Sequence, residues 1–116
     1  METASDMWAL RETGWAAADI VGFDVIALDG KVGAVDETLY NRRANGIVVD
    51  TGPWIFGRKV LLPAGMITGI DTAEGKVWVE TTKEQAKSSP EFFIDDEDYL
   101  REVARHYGGQ VPAAVS

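Results

Sequence analysis

Residues 45–65 read Asn45-Gly46-Ile47-Val48-Val49-Asp50-Thr51-Gly52-Pro53-Trp54-Ile55-Phe56-Gly57-Arg58-Lys59-Val60-Leu61-Leu62-Pro63-Ala64-Gly65. Two short runs of β-branched and aliphatic residues, Ile47 to Asp50 and Lys59 to Leu62, stand on either side of a segment opened by Gly52-Pro53 and closed by Gly57. Runs this short, bounded by turn residues, are strand signals, because a globular helix needs a longer periodic stretch. Pro63 cannot donate to a ladder, so Pro63-Ala64-Gly65 stops the second run. Asn45-Gly46 suits a tight turn ahead of the first.

The same punctuation extends in both directions. Val21 to Leu28 and Val32 to Tyr40 flank Asp29-Gly30, a hairpin-turn dipeptide. Met66 to Asp71 and Lys76 to Thr82 flank a Glu74-Gly75 turn. In the last run Val77, Val79 and Thr81 share one face, and Trp78 and Glu80 share the other. Six short strands with tight turns predict a mainly β domain over residues 21–90, a closed or nearly closed barrel with few free edges.

Residues 1–20 form an amino-terminal arm without periodicity. Its Trp8, Leu10 and Trp15 are expected either to pack on the barrel or to meet another subunit. Residues 91–116 form an acidic carboxy-terminal segment. Thr82 to Ser88 predicts a short helix ended by Pro90. A second helix is expected over about 95–107, capped by Asp95, with Tyr99, Val103 and Tyr107 on one apolar stripe. Acids at its start and Arg101, Arg105 and His106 at its end complement the helix dipole.

The chain has 116 residues, enough for one domain with a real core, and no cysteine. That suits a reducing cytoplasm, the expected location. Nineteen acidic residues against eleven basic give a net charge of −8, the wrong sign for phosphate backbones, so nucleic acid is not expected as a partner. The start, METASDMWALRETGW, has acids where a signal peptide carries bases. Trp54 to Ile70 is broken by Arg58, Lys59 and Pro63, so membrane insertion is not expected.

Reactive constellations are scarce. His106 is the only histidine, and its place in the last helical turn accounts for it. A zinc site would then have to rest on carboxylates, and Asp95-Asp96-Glu97-Asp98 lacks calcium-loop spacing. Asp36, Asp50 and Asp71 lie near strand ends, where a general acid or base can sit, but aspartate there more often bonds to the local backbone. No enzyme activity, metal or cofactor is expected. A small-molecule binder or hydrolase using Asp36, Asp50 and Asp71 stands as an alternative.

Trp54-Ile55-Phe56 places three large apolar side chains in a loop. Burying each is worth about 1.5–3 kcal/mol, so exposing all three is costly. The loop caps the barrel, joins two copies or docks a foreign protein, with Arg58 and Lys59 as a polar rim. The candidate protein-interaction residues are therefore Trp54, Ile55, Phe56, Arg58, Lys59, Trp8 and Trp15.

Between about Leu28 and Pro90 the sequence resembles the PRC-barrel domains. The resemblance is carried by Asp29-Gly30-Lys31-Val32-Gly33-Ala34-Val35-Asp36, then by Val48-Val49-Asp50 with Gly57 to Pro63. Ile70-Asp71, Lys76-Val77-Trp78-Val79 and the closing Thr82 to Pro90 complete it. It implies a small, mostly antiparallel β-barrel used as an adaptor. The family includes the cytoplasmic domain of the photosynthetic reaction-centre H subunit and the second domain of a ribosome maturation factor. A stand-alone protein-binding barrel, a homodimer acting as adaptor or assembly module, is the leading expectation. A cytoplasmic subunit of a photosynthetic or other membrane complex is the runner-up.

Overall fold

The strands differ in how many of their faces they bury, and that difference sets the architecture. The computed structural model describes residues 20–40, 45–52, 58–93 and 96–108. Its strands are β1 (Asp24–Ala27), β2 (Gly30–Tyr40), β3 (Asn45–Asp50), β4 (Lys59–Pro63), β5 (Ile67–Asp71) and β6 (Lys76–Val79). A 3-10 turn, Ala64–Met66, joins β4 to β5, and two α-helices follow, α1 (Lys83–Lys87) and α2 (Glu97–His106).

On β1 and β6 buried valine and alanine alternate with more exposed residues, so one face is covered. β3 and β4 do not alternate: Ile47, Val48, Val49, Val60, Leu61 and Leu62 are all fully buried. Strands covered on both faces read as continuous apolar runs, as these do. Ala86 of α1 and Tyr99, Leu100, Val103 and Tyr107 of α2 belong to the same buried cluster. The helices thus supply the second cover.

The strand order is β4-β3-β2-β1-β6-β5. Every neighbouring pair is antiparallel except β1 and β6, which run parallel with Ile26 beside Trp78. The fold is mainly β and mostly antiparallel, as expected. The sheet is not closed: among the described residues no ladder joins β4 to β5. Two features keep it open. Pro63 ends β4 without an N–H and leads into the 3-10 turn, while the edge of β4 is taken by Glu91, bridged to Val60. The Phe92 amide donates to the Lys59 carbonyl at 2.7 Å.

Several boundaries also move. β1 begins at Asp24 rather than Val21, because Val21-Gly22 forms a turn in which Gly22 takes φ +93°. Leu28 and Asp29 make the β1–β2 turn, with Gly30 already paired to Ala27. Asn45 and Gly46 lie inside β3 rather than in a turn. Glycine is needed there for close approach, since a Cβ at Gly46 would overlap the Leu62 carbonyl oxygen. β5 begins at Ile67 rather than Met66, which the 3-10 turn takes, and β6 ends at Val79 rather than Thr82.

Both helices are capped through side chains. Thr82 Oγ1 accepts from the Gln85 amide at 3.2 Å, and Asp29 Oδ1 accepts from the Lys83 amide at 2.8 Å, tying the β1–β2 turn to α1. In α2 the cap is Asp96, whose Oδ1 accepts from the Tyr99 amide at 2.9 Å. The helix therefore begins at Glu97 and not at 95, and Asp95 lies outside the described residues. His106 Nε2 sits 2.7 Å from the Gln85 carbonyl oxygen and donates to it, locking α2 to α1.

At Gly33 of β2 a Cβ would overlap the Asp50 carbonyl oxygen and press on the Val49 side chain. The substitution Gly33→Ala is therefore expected to destabilise the fold by about 1–3 kcal/mol, the usual cost of overpacking. A urea unfolding midpoint equal to that of the parent chain would show that β2 and β3 are not so closely apposed.

Candidate interaction surface

The loop between β3 and β4 leaves the sheet from a pinned stem. The Thr51 amide and its Oγ1 both donate to the Arg58 carbonyl, at 2.9 and 3.0 Å. Asp50 Oδ1 accepts from the Gly52 amide at 3.2 Å, so the chain turns as it enters the loop. The Arg58 side chain turns back toward the end of α1. Its Nη2 donates to the Ser89 carbonyl, its Nε donates to the Lys87 carbonyl at 3.3 Å, and Glu91 Oε1 stands 4.0 Å from Nη1. A planar guanidinium serves two carbonyls and a carboxylate at once, which an ammonium cannot do with the same geometry. Lys59 pairs with Asp36 at 3.2 Å.

The residues expected to make contact are Trp54, Ile55 and Phe56 of the loop and Trp8 and Trp15 of the arm. All five lie outside the described residues. Arg58 and Lys59 lie within them, at the base of the loop, half-exposed and engaged as above.

The three aspartates of the alternative reading have local duties. Asp36 holds Lys59, Asp50 turns the loop entrance, and Asp71 Oδ1 accepts from the Ala73 and Glu74 amides, each at 3.0 Å. An open depression of about 450 Å³ is lined by Asp29, Lys83, Glu84, Lys87 and Ser88, and by none of the three. Among the described residues no three His, Asp or Glu side chains are grouped to hold a metal ion. No helix among them is long and apolar enough to cross a membrane.

The sequence reading did not single out Phe93, Leu28 or Trp78 as surface features. Phe93 is 79% exposed, Leu28 is 68% exposed and Trp78 is 37% exposed. Trp78 was legible as the outward residue of an alternating strand, whereas Phe93 was masked by the apolar look of Phe92-Phe93-Ile94. Phe92 packs edge-on against Tyr99, with ring centroids 5.6 Å apart, and Phe93 is left outside.

Two tyrosines fix α2. Tyr99 donates its hydroxyl to the Pro90 carbonyl at 3.0 Å, and Tyr107 is fully buried. Desolvation pushes the Tyr99 phenol up to about 12 and raises that of Tyr107 further.

These features define a small β-sheet module with apolar residues displayed on loops and strand faces. The chain belongs to the PRC-barrel domain family, which it matches over residues 12–86. Among solved structures it is similar to a 16S ribosomal RNA processing protein, RimM, from Pseudomonas aeruginosa. The two are 26% identical over 56% of this chain and 42% of that one, with a TM-score of 0.47. The chain thus spans less than half the length of that protein. No curated protein matches it.

Replacing Arg58 by alanine is expected to lower stability by about 1–2 kcal/mol, because three acceptors lose a charged, half-exposed donor. Lysine at that position is expected to recover only a minor part, and full recovery in urea unfolding would contradict the role given to the guanidinium fork. Alkaline pH gives a second check. An unfolded tyrosine ionises near pH 10, whereas Tyr99 holds its proton to about 12, so the unfolded state gains by deprotonation first. Stability is therefore fully present below pH 10 and is lost as pH rises toward 12. A flat unfolding free energy across that window would show that the Tyr99 and Tyr107 hydroxyls are not buried.

Proposed function

We propose that this chain is a non-enzymatic protein-interaction module that associates with itself and serves as an adaptor or assembly element, with the Trp54–Phe56 loop as its contact for a partner protein. The observation that carries this reading is the pairing of a rigid stem with an apolar loop. Thr51, Asp50 and Arg58 hold the two ends of a segment whose centre is Trp54-Ile55-Phe56. A fixed base lowers the entropy lost when such side chains dock, and aromatic residues supply most of the energy at protein contacts. Lys59 and Asp36 at the base give the contact a polar rim. Trp8 and Trp15 add apolar area from the arm. The local duties of Asp36, Asp50 and Asp71 support binding over catalysis.

The test compares the parent chain with a Trp54→Ser, Phe56→Ser variant in affinity capture from the native cell extract. A stoichiometric partner retained by the parent and lost by the variant, at equal urea midpoints, is the expected result. Equal capture by both proteins would refute the assignment, and so would a stability loss of several kcal/mol, which would mark the loop as a cap on the barrel.

A further inference from the structure

The outward row of β6 is Lys76, Trp78 and Glu80, separated by the buried Val77 and Val79. Trp78 stands beside Ile26 of β1 on one side and Gly69 of β5 on the other. Gly69 contributes no side chain, and a Cβ there would lie 3.7 Å from Trp78 Cε3, so the indole rests over bare backbone. Leu28, whose amide donates to the Thr81 carbonyl at 2.9 Å, continues the patch beyond the end of β1. Its charged surround is Lys76 and Glu80 together with Asp24 and Lys31, which pair at 3.0 Å. Two acids and two bases cancel on this face, in a chain whose net charge is −8.

That balance bears on who can dock there. Two copies of a strongly acidic chain repel each other over most orientations, and the repulsion is least where a face is neutral. The row is also complementary to itself. A twofold axis through Trp78 stacks the two indoles and sets Lys76 of each copy opposite Glu80 of the other. An isologous dimer requires this kind of self-complementary patch. We infer that the outer face of β1, β6 and β5, centred on Trp78, is the surface through which two copies of this chain form a symmetric dimer. The inference rests on the self-association proposed above and assigns it to a face separate from the Trp54–Phe56 loop.

Charge exchange tests it. Sedimentation of the full chain at tens of micromolar is expected to show a dimer. Lys76→Glu and Glu80→Lys are each expected to raise the dissociation constant by about tenfold or more, since two symmetric attractions become repulsions. Mixing the two single variants in equal amounts restores association, because both contacts of the mixed dimer are again of opposite sign. The double variant K76E/E80K restores it by the same logic. Trp78→Ser gives a monomer with an unchanged urea midpoint. A dimer that survives all of these changes and dissociates in Trp54→Ser would overturn this inference and leave self-association through the loop intact. A parent chain that sediments as a monomer would overturn both.

Discussion

The double burial of β3 is the constraint on which the rest of the structure depends. Ile47, Val48 and Val49 have no contact with solvent, so the sheet must cover one side of this strand and the helices the other. Glycines sit where its neighbours crowd in: Gly33 of β2 lies against the Asp50 carbonyl, and Gly46 lies against the Leu62 carbonyl of β4. A side chain at either place would drive the strands apart, and in a close-packed interior that displacement would spread. With β3 fixed, the ends of the β3–β4 loop are fixed as well.

The segment after the family match continues this logic. The match ends at residue 86, and the following residues run along the edge of β4, with Glu91 bridged to Val60 and Phe92 bonded to Lys59. An uncovered strand edge is a template for unwanted pairing, and this cover removes it. The same stretch provides the Lys87 and Ser89 carbonyls that Arg58 grips, and Pro90, which accepts from Tyr99. One short piece of chain thus closes an edge, braces the loop stem and anchors α2. It does so beside the residues proposed for partner contact, so loop presentation and carboxy-terminal docking are coupled.

Much of this was legible in the sequence because it is local. The apolar runs of β3 and β4, the Glu74-Gly75 turn, Thr82 as the start of α1 and the stripe on α2 all follow from short-range chemistry. What was not legible depends on distant partners. The parallel pairing of β1 with β6 joins residues some fifty positions apart and leaves no periodic mark. Asn45-Gly46 has the composition of a turn but serves close strand approach. Arg58 looked like a rim charge, yet its guanidinium is directed at carbonyls that only the fold brings near. Asp96 replaced Asp95 as the cap because neighbouring acids are equivalent until the backbone chooses one. The aspartates at strand ends were correctly weighed as backbone ligands, whereas the exposed Phe93 had no signal apart from its surroundings.

Native-state hydrogen exchange tests the central claim most directly, namely that a rigid, doubly covered strand pair carries the contact loop on a fixed base. The account predicts that the Ile47, Val48, Val49, Leu61 and Leu62 amides exchange only through global unfolding, and that the Thr51 amide at the loop stem is protected nearly as well. Exchange of Thr51 at the rate of an unstructured peptide, with β3 still protected, would contradict it.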